Sequence, residues 1–283
     1  MRGSIRVLGF LAIFFIHGYC SAVPLVIGVP ALGDGLAVDR SWNTICAYLR
    51  DIGKIDVTFT IQKDYQSLIK NLEDHFIDIA LLDYYWYDQE RERLSILTVV
   101  ETANKKNYKS LIIVPKSSIY YGLEDLKGIP LTLTRAKESS SGYYVPLGLL
   151  AREGMKIDSP RSMVYVETFN SVLKGVAYGG LQAGSIPSYV FEDEANSKLT
   201  EMIRIISESL PLPVPILSVR QGSHDQRYLK LQRVLVEMSK QKKGQEALHD
   251  SRYTGFSNFP DFNAVENLRM YIRYFAETYG TSN

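Results

Sequence analysis

Cysteine and histidine are scarce in this chain, and each scarcity excludes something. Of 283 residues, 2 are cysteine and 4 are histidine. Cys20 falls in an N-terminal segment expected to be removed, which leaves Cys46 and excludes an internal disulfide in the mature chain. Cys46 lies in NTICAYL, an apolar stretch with helical character, and reads as a buried small hydrophobe. His75, His224 and His249 have no metal-ligand spacing, and no serine–histidine–acid order stands out. The groups an enzyme mechanism would need are therefore missing, and neither catalysis nor a cofactor is expected. GDG at Gly33–Gly35 is a lone glycine turn without the rest of a phosphate-binding loop.

A basic excess and long apolar runs are missing as well. The formal charge is +1, from 32 Lys and Arg against 31 Asp and Glu. Without Arg2 and Arg6 the 32 basic residues become 30 against the same 31 acids, a charge of −1, so nucleic acid is not an expected partner. The apolar run Val7–Ile16 is too short for a stable membrane anchor. With the basic start before it and CSA after it, the run has the layout of a secretory signal peptide over residues 1–22, cleaved after Ala22. Lipoprotein processing at Cys20 fits poorly because Tyr19 is bulky. The rest of the chain, 46% hydrophobic and 22% charged overall, has ordinary globular composition.

Apolar β-rich runs alternate with helical patterns. VPLVIGVPA (Val23–Ala31) reads as a buried strand, and Val38–Gly53 as a helix with Trp42, Ile45, Cys46 and Leu49 on one face. KIDVTFTI is a strand, and DYQSLIKNLEDH a helix with Asp64 as its N-cap. FIDIALLD is a third strand, and YYWYDQERERL opens another helix. This β-α-β-α-β order argues for an α/β fold with a largely parallel sheet. The second part repeats it with YKSLIIVPK, GLEDLKGIPLTLT, YYVPLGLLAREGM, SMVYVE, FNSVLKGVAYGG and LQAGSIPS. A proline-broken run, PLPVPILSVR, precedes a helical remainder. Two such units suggest two lobes, with the chain crossing between them near Tyr108–Val114 and Leu212–Val219. The cleft between lobes is the default ligand site.

One stretch, RAKESSSGYYVP (Arg135–Pro146), sits between a strand and a helix. Free N–H groups and a partial positive charge at a helix start suit an anion. Ser139, Ser140 and Ser141 could surround the oxygens of a tetrahedral head group, with Gly142 allowing close approach. The same residues would also serve as a plain capping turn.

Four blocks in order, from Asp64 to Gly222, resemble the substrate-binding proteins of ABC importers for phosphonate, phosphite and related phosphorus oxyanions. These blocks are DYQSLIKNLEDHFIDIALLDYYWY, YKSLIIVPKSSIYYGLEDLKGIPLTL, ESSSGYYVPLGLLAREGM and LPLPVPILSVRQG. The resemblance implies a type 2 periplasmic binding-protein fold. Each lobe would be a mixed β-sheet flanked by helices, with two crossover strands as the hinge. Lobe 1 would comprise residues 23–107 plus 217–283, and lobe 2 residues 108–216. It further implies a periplasmic monomer that closes on a small-molecule ligand and presents it to a membrane permease or a sensor protein.

The resemblance places ligand contacts at Ser139–Gly142 and Tyr65, with Tyr84 at the rim and Tyr108 at the crossover. Phe169, Tyr189 and Val214 stand nearest the positions where aminophosphonate binders of the family carry histidine and acidic residues. Glu138 replaces a residue that is usually neutral. These departures leave a second expectation open, the same scaffold around an apolar or lipid-like ligand, which Phe169 and Tyr189 in the cleft would favour.

Overall fold

The computed structural model describes residues 23–31, 35–134, 139–157, 163–249, 251 and 253–280. The expected leader, residues 1–22, lies outside them, as do Gly33, Asp34 and Arg135 to Glu138.

The first unit runs β1 (Leu25–Pro30), α1 (Gly35–Asp51), β2 (Val57–Gln62), α2 (Tyr65–Glu73), β3 (Ile79–Leu82), α3 (Tyr84–Gln89) and β4 (Leu94–Glu101). Its helices form where the apolar spacing predicts. In α1, Trp42, Ile45, Cys46 and Leu49 are all buried. The Asp64 side chain accepts from the Ser67 amide at 2.7 Å and starts α2, a cap worth about 1 kcal/mol. β1 pairs in parallel with β2 and β3, as a β-α-β crossover requires.

The second unit runs β5 (Asn107–Tyr108), β6 (Ser110–Pro115), β7 (Leu131–Thr134), a π-helical turn at Ser140–Tyr144 leading into α4 (Val145–Arg152), β8 (Met163–Val166), α5 (Phe169–Ala177), β9 (Ala183–Pro187), the short helices α6 (Ser188–Phe191) and α7 (Ser197–Thr200), and β10 (Ile203–Glu208). The chain returns through β11 (Leu212–Pro213) and β12 (Ile216–Arg220). It ends in α8 (Gln226–Met238), α9 (Lys242–His249), β13 (Gly255–Ser257) and α10 (Phe262–Tyr279).

The strand orders are β2-β1-β3-β12-β4-β13 in one sheet and β8-β7-β9-β6-β10 in the other. Each starts with three parallel strands joined by helices and continues with antiparallel ones. The largely parallel sheet expected from the β-α-β order is thus corrected to two mixed sheets. Both sheets share one topology, a repeat that the residues themselves do not display. β5 and β11 form a separate two-stranded ribbon, Tyr108 opposite Leu212, where the chain passes between the sheets. β4, β10 and β13 go beyond the elements read from the sequence.

α10 packs mainly against the second unit. It packs along α4, with a Gly148 Cβ position only 2.3 Å from the Tyr271 carbonyl oxygen, an approach that only glycine allows. The Tyr271 hydroxyl accepts from the Leu210 amide at 3.0 Å. Arg269 grips Asp88 of α3 through both carboxylate oxygens, so α10 touches both units.

Candidate functional site

Parallel strands end where the strand order turns, and the crevice beyond their carboxyl ends is where α/β sheets bind ligands. Here two such crevices face each other. Val29 and Pro30 at the end of β1 and Asp83 after β3 meet Thr134 at the end of β7 across a cavity of about 120 Å3. The cavity widens into a cleft of about 710 Å3, which shares Thr168, Phe169 and Tyr189 with it.

The π-turn is built from its first residues. The Ser139 hydroxyl accepts from the Gly142 amide at 3.1 Å and caps the turn. The Tyr144 amide reaches back five residues to the Ser139 carbonyl. Buried Ser110 of β6 and Ser185 of β9 both donate to the Ser141 carbonyl at 3.0 Å, which pins the turn to the sheet. A Cβ on Gly142 would meet Thr134 Oγ1 at 1.8 Å and Phe169 Cε1 at 3.1 Å, so glycine is needed for these side chains to converge.

Most of the sequence-expected residues converge here. Ser139, Ser141, Tyr65, Tyr108, Phe169 and Tyr189 all line the cavity. Ser140 and Gly142 belong to the turn's scaffold instead. The Ser140 amide donates to Asp83 Oδ2 at 3.0 Å, and its hydroxyl donates to Asp83 Oδ1. Tyr84 lies away from the cavity: it is buried at the start of α3 with its ring 5.3 Å from that of Tyr87. Val214 is buried in the core, and its neighbour Pro215 lines the cavity. Glu138 lies outside the described residues.

Sequence reasoning missed Asp83, Thr102, Thr134 and Glu167, all on the cavity wall. Thr102 Oγ1 and Thr134 Oγ1 are buried with no hydrogen-bond partner among the described residues, on two side chains of the cavity wall. The available signal was position, since Thr134 ends a parallel strand. Burial, opposed by the bonds from Ser140 and the Tyr85 amide, pushes the Asp83 carboxyl above its usual range. Burial, then the nearby Asp83 and Tyr189, holds the Tyr108 hydroxyl well above the usual tyrosine range. Tyr108 is therefore a neutral hydroxyl at physiological pH, bonded to the Ser141 side chain. Among the described residues that line the cavity there is no lysine, arginine or histidine. The wall offers neutral hydroxyls, aromatic faces and carboxylates.

A family model described as the periplasmic substrate-binding protein of phosphonate ABC transporters matches residues 28–261. No curated protein matches by sequence. Among solved structures, a Xanthomonas citri protein bound to chloride ion is similar at 19% identity, with a TM-score of 0.74 over 90% of this chain and 98% of its own. A binding-protein component of an ABC phosphonate transporter from Pseudomonas aeruginosa has 17% identity and a TM-score of 0.74, covering 92% of this chain and 90% of its own. PhnD1 from Prochlorococcus marinus, solved with methylphosphonate, has 17% identity and a TM-score of 0.70, covering 88% and 98%. At these identities the structures show the fold, that of two-lobed periplasmic binding proteins.

Proposed function

We propose, because this chain belongs to the periplasmic substrate-binding proteins of phosphonate ABC transporters, that it closes two lobes around a small phosphorus oxyanion and delivers it to a membrane permease. The observation that carries the reading is the pair of buried hydroxyls, Thr102 and Thr134, without a partner among the described residues, on cavity-lining residues of the two units beside Ser141 and Tyr108. A tetrahedral oxyanion is a ligand that several convergent hydroxyl donors satisfy at once. The cavity of about 120 Å3 fits a small head group, and the adjoining cleft of about 710 Å3 leaves room for a substituent.

In this reading residues 23–107 with 217–283 form one lobe and residues 108–216 the other, the β5–β11 ribbon is the hinge, and α10 spans both. Residues 1–22 act as a cleaved export signal, and the mature chain works as a monomer. Tyr65, Tyr108, Phe169 and Tyr189 pack around the ligand's substituent while Ser139, Ser141, Thr102 and Thr134 hold its oxygens.

Calorimetric titration with methylphosphonate tests the proposal, with Thr134→Val as the probe variant. Losing one hydrogen bond to an anion should weaken binding about 10- to 100-fold. Mass spectrometry of whatever the exported protein retains gives an independent check. Recovery of a lipid, together with no binding of any phosphorus oxyanion, would overturn the reading.

A further inference from the structure

We propose that the cleft adjoining the cavity is a second subsite, built on the exposed face of α5, for a carboxylate at the far end of the ligand's substituent, so that a carboxyalkyl phosphonate is the preferred substrate. This rests on the oxyanion reading above and deepens it.

The outer cleft, at about 710 Å3, holds far more than a methyl substituent. Thr168, Phe169 and Tyr189 line both it and the cavity, so a ligand passes from one to the other. Ala37 and Ser41, one turn apart on α1, are small and keep the first unit's wall open. The Ser41 hydroxyl donates to the Ala37 carbonyl at 2.7 Å. On the second unit's side, α5 divides cleanly into two faces. Val172, Leu173, Val176 and Ala177 are buried, while Asn170, Ser171 and Lys174 are exposed and line the cleft.

Two donors on that face have nothing to bond among the described residues. Asn170 Oδ1 accepts from Asn196 Nδ2 at 3.3 Å, which leaves the Asn170 side-chain N–H groups without an acceptor there. The Lys174 ammonium has neither a hydrogen-bond nor an ion-pair partner among them. Residues four apart on a helix are neighbours, so the two oxygens of one carboxylate can accept from both. The other charged groups of the cleft are engaged. Glu192 takes Lys105 Nζ on both oxygens, at 3.0 and 3.2 Å, and Asp193 accepts the Ala195 amide at 3.0 Å. His249, on the first unit's wall, has an interaction of its own, as does Glu167 on the cavity wall. Among the described charged groups of the cleft, the one left over is therefore a cation.

Reach fits as well. Lys174 lies five residues beyond Phe169, about 7.5 Å along the helix axis. Helical side chains lean toward the N-terminus, which brings the ammonium back toward Phe169, where cavity and cleft join. A short linker then connects a head group in the cavity to a carboxylate at Lys174. Because the walls come from both units, closure removes water from this pair and strengthens it.

The test is calorimetric titration of the mature protein, Lys174→Met and Lys174→Glu with methylphosphonate, 3-phosphonopropionate and 2-aminoethylphosphonate at pH 7. The last two share a two-carbon linker and differ in the sign of the terminal charge. The unaltered protein should bind 3-phosphonopropionate at least about fivefold more tightly than methylphosphonate, and 2-aminoethylphosphonate no more tightly. Lys174→Met should remove that advantage, and Lys174→Glu should turn it into a penalty. Lys174 is exposed, so both variants should fold. Equal affinity for 3-phosphonopropionate and methylphosphonate, tighter binding of the amine, or an advantage that survives in Lys174→Met overturns the subsite and leaves the oxyanion reading standing. Folded protein that binds none of the three removes the oxyanion reading and this inference with it.

Discussion

Gly142 carries its importance through what it lacks. Alanine there would drive a methyl group into Thr134 Oγ1 and crowd Phe169. Gly142→Ala should cost about 1–3 kcal/mol of stability by overpacking and weaken ligand binding, as read by denaturant unfolding and titration. Cys46 makes the opposite case of a residue with chemistry and no access to it. It is buried, and burial pushes its thiol up to about 12. In the folded protein it should stay unmodified by a thiol reagent at pH 8, while the denatured chain reacts fully.

Asp83 gives the site its pH dependence. Its ordinary value is 3.8, and burial raises it in the fold. Between those two pH values the native state holds a proton that the unfolded chain has lost. Stability therefore falls as pH rises across that window and levels off above it. The Tm difference between the unaltered protein and Asp83→Asn, measured from pH 4 upward, should shift in favour of the variant across that window.

At the scale of elements, the contact between α4 and α10 decides how the C-terminus is placed. Helices approach this closely only where the facing residue is small, and Gly148 sits over the Tyr271 backbone. Gly148→Ala should push the helices apart and cost about 1–3 kcal/mol. Because Arg269 of α10 also grips Asp88 of α3, amide exchange should rise in both α3 and α10 in that variant. The helices α1, α2 and α5 were legible because one apolar face repeats at 3.6 residues, and in α2 the Asp64 side chain marks the start. The π-turn was not. Its fifth-residue hydrogen bonds depend on Ser110 and Ser185, 31 and 44 residues away, holding the Ser141 carbonyl. β4 and β10 escaped notice for a related reason, since each finds its partners only through the sheet: β4 pairs with β12 and β13, and β10 pairs with β6.

At the scale of the whole molecule, a ligand held between two units stabilises both at once. Ligand at about 100 times its Kd should add about 2.7 kcal/mol, seen as a rise in Tm with methylphosphonate concentration. Closure about the β5–β11 ribbon should also reduce the radius of gyration in solution scattering.

Local patterns determined the alternation of strands and helices, the serine-rich helix mouth, and the tyrosines around it, because periodicity and capping are properties of neighbouring residues. Tertiary structure alone decided which donors are free. Asp83 and Ser140 are 57 positions apart, and their pairing commits two of the donors that the serine motif seemed to offer a ligand. Thr102 and Thr134 are left as hydroxyls without a partner among the described residues because burial removes water without supplying another partner. Whether a polar group in a fold is spent or available depends on what lies across the cleft, and no stretch of sequence contains both sides of it.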